Sequence, residues 1–384
     1  MKFKRLKVNQ NAVDLNTKLE ETMNTAVRGY DQIMETLLLG GRKSDYNDLK
    51  YEFDGGANDE LRRKHYDKSL KYLWKAEKNA PWSTFSDCTE EEKTLLKLAE
   101  QSLSDLEKVE VKRMKSDEFK NFLNQEYTKE EKQAIVNILS LIGHGEAYAW
   151  LVSNEVLRDV ESTGAKAAVT MQVMEEAKHF VVLRELIYAF DVEVPRMPVW
   201  LYLILEGTLK SEGLEKFFGM NVLVEAFAMS MFGSMSSLPG LEILTLFHRD
   251  ESRHTGLPTN YFKTKPMTWF EKVNPFSMMN RLRLFLPAIP LAMNLEKDFA
   301  VLGMDVFEFI GSMGRKIINL AYKVGFYLPI PKDNLKQVLN AIFNSYCKVM
   351  REDYKYVDFL NCEATTGEEE LEIEKEVFQL VEAA

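Results

Sequence analysis

Two short strings carry the residues best suited to chemistry. VMEEAKHF (173–180) sets Glu176 and His179 three apart, and RDESRHT (249–255) repeats the arrangement with Glu251 and His254. Positions i and i+3 of a helix share one face, so each pair offers a carboxylate oxygen and an imidazole nitrogen to one point. With 41 Glu and five His in 384 residues, chance supplies roughly half an E-x-x-H per chain, so one match means little and two mean more. Glu146 in LIGHGEAYAW and Glu225 in NVLVEAFAMS stand in otherwise apolar segments. A carboxylate there is costly unless it is paired or bound to a cation. Four carboxylates and two neutral imidazoles suit iron or manganese, need no thiolate, and offset two divalent charges. The competing reading, solvated salt-bridge faces on helices, conflicts with the apolar flanks.

Four helices must position these groups. The first starts at Thr128, where TKEE offers a capping box with Glu131, and runs through NILSLIGHGEAYAWLVSNEVL. The second runs from about Ala165 to Phe190, with Pro195 and Pro198 preventing its extension. The third begins near Ser211 and includes MNVLVEAFAMSMFG. The turn SMSSLPG leads into the fourth, LEILTLFHRDESRHTG. Pro258 removes the amide that would bond to the His254 carbonyl, so it is expected to kink or end that helix. Glu146 precedes Glu176 by 30 residues and Glu225 precedes Glu251 by 26, with each turn about midway. At a rise of about 1.5 Å per residue, equal distances up and down a hairpin bring the groups to one height. The fold class expected is all-α: a four-helix core over 121–262, an N-terminal helical extension (1–120), and a C-terminal helical extension (263–384) that packs on the core and ends in an acidic tail.

The order Glu, Glu-x-x-His, Glu, Glu-x-x-His, each on its own helix, resembles the ferritin-like di-iron carboxylate proteins over roughly 128–262. The resemblance implies a ferritin-like bundle holding two iron ions, as Fe/Fe with Mn/Fe the alternative. The implied ligands are Glu146, Glu176, His179, Glu225, Glu251 and His254, with no catalytic side chain beyond them. DESRH is similar to the D-E-x-R-H form of bacterial di-iron monooxygenases, where the Asp orients a ligand His and the Arg lies one layer out. That implies such roles for Asp250 and Arg253. Glu175 and Lys178 hold the corresponding places in the first motif. The p-aminobenzoate N-oxygenase group adds a third His four residues before the second motif's Glu. Here that position is Phe247, and His248 is carried as a candidate extra ligand. His144, two residues from Glu146, should face elsewhere, and His65 lies in a charged, surface-like segment. Gly143, Gly145, Ala147 and Ala149 leave room around Glu146, as they would for close helix packing.

Within that family the chain is longer than ferritins need and lacks the cysteine module of rubrerythrins. Leu183 stands where a ribonucleotide reductase small subunit usually carries its radical Tyr. The expectation is an oxidoreductase that uses O2 and an external electron donor on an organic substrate, as a hydroxylase, desaturase or N-oxygenase. VWLYLILEG (199–207) and LFLPAIPLAM (284–293) suggest an apolar substrate, though such runs also serve as core. The alternatives are a radical-generating, ribonucleotide-reductase-small-subunit-like protein or ferroxidase, and a metal-free helical binding protein.

Composition sets the outer bounds. A formal charge of −10 argues against a nucleic-acid partner. Part of it sits in the tail GEEELEIEKEVFQLVEAA, read as a solvated helix. Cys88, Cys347 and Cys362 are odd in number and far apart, so no disulfide framework is suggested and a cytoplasmic location is expected. The N-terminus has no apolar signal core. LFLPAIPLAM is about half the length of a membrane-spanning helix, so no integral membrane segment is expected; the run is expected to be buried core, with a tunnel lining or a membrane-surface position as the alternatives. A homodimer is carried as an open assembly.

Overall fold

The computed structural model describes residues 4–37, 113–114, 116–161, 163–363 and 372. His65, Cys88 and the acidic tail apart from Glu372 lie outside them. The described residues are helical, with no β-strand among them. The helices are α1 (Gln10–Thr36), α2 (Asp117–Glu126), α3 (Lys129–Asp159), α4 (Thr163–Ala189), α5 (Val199–Leu209) and α6 (Leu214–Met235). They continue as α7 (Leu244–Thr264), α8 (Trp269–Val273), α9 (Pro275–Phe285), α10 (Ala288–Val301), α11 (Val306–Val324) and α12 (Lys332–Met350).

Local chemistry sets where α3 begins. The Thr128 hydroxyl accepts from the Glu131 amide at 3.2 Å, and the Glu131 carboxylate accepts from the Thr128 amide at 2.7 Å. This reciprocal cap satisfies two of the free amides at the helix start. Glu146 stands as far before the end of α3 at Asp159 as Glu176 stands after the start of α4 at Thr163. The hairpin therefore brings the two carboxylates level.

α3 packs along α4 and α6 along α7, and contacts of α4 with α7 and of α3 with α6 close the four into a helical bundle. α10 lies against α3 and α5, while α11 lies against α6, α7 and α12. α3 and α6 are long and apolar enough to cross a membrane by length and composition. However, 78% and 94% of their most apolar windows are buried within the protein, and both carry buried carboxylates, as core helices can.

Two features depart from plain helices. α6 widens into a π-helical segment over Phe218–Val224 immediately before Glu225. Such segments are short and often mark functional sites. Its Gly219 lies so close to α5 that a Cβ would fall 2.6 Å from Thr208 Oγ1. Pro258, expected to kink or end the fourth helix, does not end it: α7 continues to Thr264. The His254 carbonyl that Pro258 leaves without its helical partner accepts instead from Asn221 Nδ2 at 3.2 Å.

The run LFLPAIPLAM is only partly core. Leu284, Phe285, Leu291 and Ala292 are buried, whereas Leu286 is 48% exposed and the residues between are half-buried.

Candidate metal centre

Six side chains converge at the middle of the bundle. Glu146 comes from α3, Glu176 and His179 from α4, Glu225 from α6, and Glu251 and His254 from α7. All are buried, the most exposed at 4%. Their ligand atoms form two groups, each with every atom within 4.8 Å of the others. One group is Glu146, Glu176, His179 and Glu251; the other is Glu176, Glu225, Glu251 and His254. Glu176 and Glu251 belong to both, as carboxylates that bridge two cations would.

The imidazoles face the cluster through Nδ1. His179 Nδ1 lies 3.0 Å from Glu251 Oε1 and 3.4 Å from Glu146 Oε2. His254 Nδ1 lies 3.0 Å from Glu176 Oε1, 3.2 Å from Glu251 Oε2 and 3.6 Å from Glu225 Oε2. Each Nε2–H is held from behind by the other motif's acid. His179 donates to Asp250 at 3.0 Å, and His254 donates to Glu175 at 2.8 Å. Asp250 and Glu175 thus fix the tautomer that turns Nδ1 inward. Arg253 joins the two acids, donating to Glu175 at 2.8 Å and Asp250 at 2.5 Å, and Lys178 lies 3.4 Å from Asp250. Phe247 stacks on the His179 ring with centroids 4.3 Å apart.

His248, the candidate extra ligand, is in neither group. It is fully buried, and its Nδ1 donates to the Met229 carbonyl of α6 at 2.8 Å. His144 also stays outside, and burial pushes its imidazole down to about 3, so it is neutral at physiological pH.

The electrostatics suit a cation. Burial holds Glu146 and Glu225 well above the ordinary carboxylate range. Burial also works on Glu176, but the His254 charge and the close approach of both imidazoles outweigh it and draw Glu176 below that range. Burial opposes a charged His179, yet its Asp250 bond and the surrounding glutamates hold it well above the usual imidazole value. His254 is raised in the same way, against burial, chiefly by the charges of Glu176 and Glu251. Without a cation, the cluster offsets its carboxylates by drawing in protons. Glu146 Oε2, both Glu176 oxygens, Glu251 Oε1 and His179 Nδ1 are buried without a hydrogen-bond partner. Orphaned acceptors aimed at one another are costly, and a shared cation would satisfy them together. The residues present therefore fit a pair of metal ions.

Two polar side chains that the sequence reading passed over complete the site. Gln172 Nε2 donates to Glu225 Oε1 at 2.5 Å, and Asn221 Nδ2 donates to Gln172 Oε1 at 3.0 Å as well as to the His254 carbonyl. All three bonds are buried. Each residue stands four before a cluster carboxylate, Gln172 before Glu176 and Asn221 before Glu225. That offset of about one turn toward the same face was a usable signal.

An apolar pocket adjoins the cluster. Its lining side chains are apolar or glycine except Glu146 and Glu225. Leu201, Ile204 and Leu205 of α5 contribute, as do Ala288, Ile289, Leu291 and Ala292 of α10, so both apolar runs singled out in the sequence reach it. Ile310 and Met313 of α11 and Leu339 and Phe343 of α12 close the remainder. Gly145 lies on the wall, and a Cβ there would meet nothing within 4 Å.

No family model matches this chain, and neither the curated proteins nor the solved structures include a match.

Proposed function

We propose that this chain is a ferritin-like di-metal oxidoreductase that uses O2 to hydroxylate, desaturate or N-oxygenate an apolar organic substrate. One observation carries the reading: two buried ligand sets share Glu176 and Glu251 and border an apolar cavity through Glu146 and Glu225. Glu146 and His179 would hold one ion, Glu225 and His254 the other, and Glu176 and Glu251 both. Iron in both places, or manganese with iron, suits this oxygen- and nitrogen-donor set. Ions held there would supply the redox chemistry that dioxygen activation requires, given an external electron donor.

The remaining roles belong to the chain. Asp250 and Glu175 hold the imidazoles with Nδ1 inward. Gln172 engages Glu225 Oε1, leaving Oε2 on the side of His254. The apolar walls exclude water and present a substrate to the Glu146 and Glu225 edge of the cluster. No side chain is required as a nucleophile. An apolar approach suits an organic substrate better than the hydrated cations a ferroxidase must admit, and Leu183 offers no phenol for a radical.

The test begins with elemental analysis of protein from cells supplied with iron and manganese, beside Glu176→Ala. About two metals per chain, lost in the variant, support the reading. O2 uptake by the reduced protein, coupled to product only when an apolar substrate is present, separates the oxygenase from a ferroxidase. Absence of metal from the wild-type protein sinks the enzymatic reading and favours a metal-free helical binding protein.

A further inference from the structure

We propose that the α8–α9 corner docks on an anionic lipid surface, so that the bilayer is the source of the apolar substrate. The substrate clause rests on the proposed function; the docking itself does not. Between positions 269 and 286, Trp269 is 76% exposed, Phe270 64%, Phe276 87%, Met279 56% and Leu286 48%. Single exposed apolar residues are ordinary on a protein surface, but a cluster of large ones marks a contact face. Residues 276, 279, 283 and 286 repeat at helical spacing, so Phe276, Met279, exposed Arg283 and Leu286 form one outward stripe.

The outward stripe belongs to a firmly seated helix. On the opposite side, Leu284 and Phe285 are buried, and the fully buried Arg281 binds both carboxylate oxygens of Glu215 at 2.9 and 2.7 Å. Arg281 also donates to the carbonyls of Glu271, Lys272 and Tyr327 at 3.0–3.2 Å. The aromatic residues therefore project from an anchored scaffold.

Charge selects the occupant. The whole chain carries −10, yet between positions 263 and 286 the charged side chains reaching the surface are Lys263, Lys265, Lys272 and Arg283 against Glu271 alone. Lys265 is engaged by Glu161. Trp and Phe framed by basic residues match the interface of an anionic bilayer, where amphipathic rings sit at headgroup depth and cations meet lipid phosphates. A second copy docking through the same patch would set these positive charges against one another. The patch also joins the cavity. Leu286 and Pro287 lead directly into the half-buried Ala288 and Ile289, which line the cavity together with Phe285. An apolar molecule leaving the bilayer at this face meets the cavity wall.

The experiment is co-sedimentation of the full chain with 70:30 phosphatidylcholine–phosphatidylglycerol vesicles and with pure phosphatidylcholine vesicles, at low and near-physiological salt. The wild-type chain is compared with Trp269→Ser/Phe276→Ser. Both positions are exposed, so helix content and metal content are expected to stay unchanged. The expected result is salt-weakened binding to the anionic vesicles that the double variant lowers by about tenfold or more. Failure of the wild type to pellet with either vesicle, equal partition onto both, or no loss in the variant overturns the proposal. So does a wild-type dimer in sedimentation velocity that the variant dissolves, since a second copy would then cover the patch. The assay needs neither metal nor turnover, so its failure is distinct from failure of the di-metal reading.

Discussion

Replacing Glu146 by Leu asks whether the buried carboxylates serve a cation or the fold. Glu146 is 2% exposed, borders an apolar cavity, and carries one oxygen without a hydrogen-bond partner. Leaving a buried polar group unsatisfied costs about 1–3 kcal/mol, and Leu removes that cost while adding apolar contact to the wall. Against this, His179 loses a neighbour at 3.4 Å but keeps Glu251 and Asp250, both at 3.0 Å. The metal-free variant is therefore expected to be more stable than wild type by about 1–3 kcal/mol. An unfolding entropy of about 0.8 kcal/mol/K for a chain of this length makes that a Tm rise of about 1–4 °C.

The sign with pH follows from the raised folded-state pKa of Glu146. Its contribution is present below the unfolded value of 4.5 and is lost as pH rises toward the folded one, so the variant's advantage grows toward neutral pH. Saturating metal reverses the order. An ion at a thousand times its Kd adds about 4 kcal/mol, and the variant has lost a ligand unique to the His179 group. Circular-dichroism melts in EDTA and in excess Mn(II), with elemental analysis of both proteins, read these terms separately. A variant that is less stable in EDTA yet binds the same metal would refute the reasoning, because Glu146 would then be a structural group.

Gln172→Leu strips the hydrogen bond from Glu225 and one partner from Asn221, and is expected to weaken metal binding in the Glu225–His254 group by about 10–100-fold. Chelator-competition titration measures this, and an unchanged affinity would remove Gln172 from the site. Gly145→Ala adds a Cβ into open space within a helix, so it is expected to stabilise the protein by up to about 1 kcal/mol in denaturant melts; destabilisation would mean the wall is tighter than it looks. Asp298, held against Asn137 Nδ2 at 2.9 Å, is pushed by burial from 3.8 up to about 6. Its contribution is fully present below about pH 4 and lost as pH rises through 6. Asp298→Asn is therefore expected to gain about 1–2 kcal/mol at pH 7.5 and almost nothing at pH 4. The gain stays modest because the half-buried side chain keeps part of its contact with solvent. Equal effects at the two pH values would refute the assignment.

Much of the bundle was legible because its signals are local. The Thr128 cap, the i,i+3 pairing of Glu with His, and the lone carboxylates in apolar runs each depend on a few neighbouring residues and the helical repeat. Level placement of Glu146 with Glu176 follows from counting along two helices joined by a short turn. Sequence alone thus determined that these groups belong to helices and which of them share a face.

Tertiary structure decided their partners. Asp250 lies one residue before Glu251 but holds His179 of α4, and Glu175 in turn holds His254 of α7. Packing turned His248 to the Met229 carbonyl and opened a π-helical segment where α6 meets α5 at Gly219. It also gave the His254 carbonyl to Asn221, so Pro258 did not end α7. The cavity draws its walls from α5 and α10–α12, in part from segments far along the chain from Glu146. Backbone periodicity fixes direction within one helix, but which side chains meet depends on how helices cross. That crossing is set by side-chain volumes contributed from across the chain.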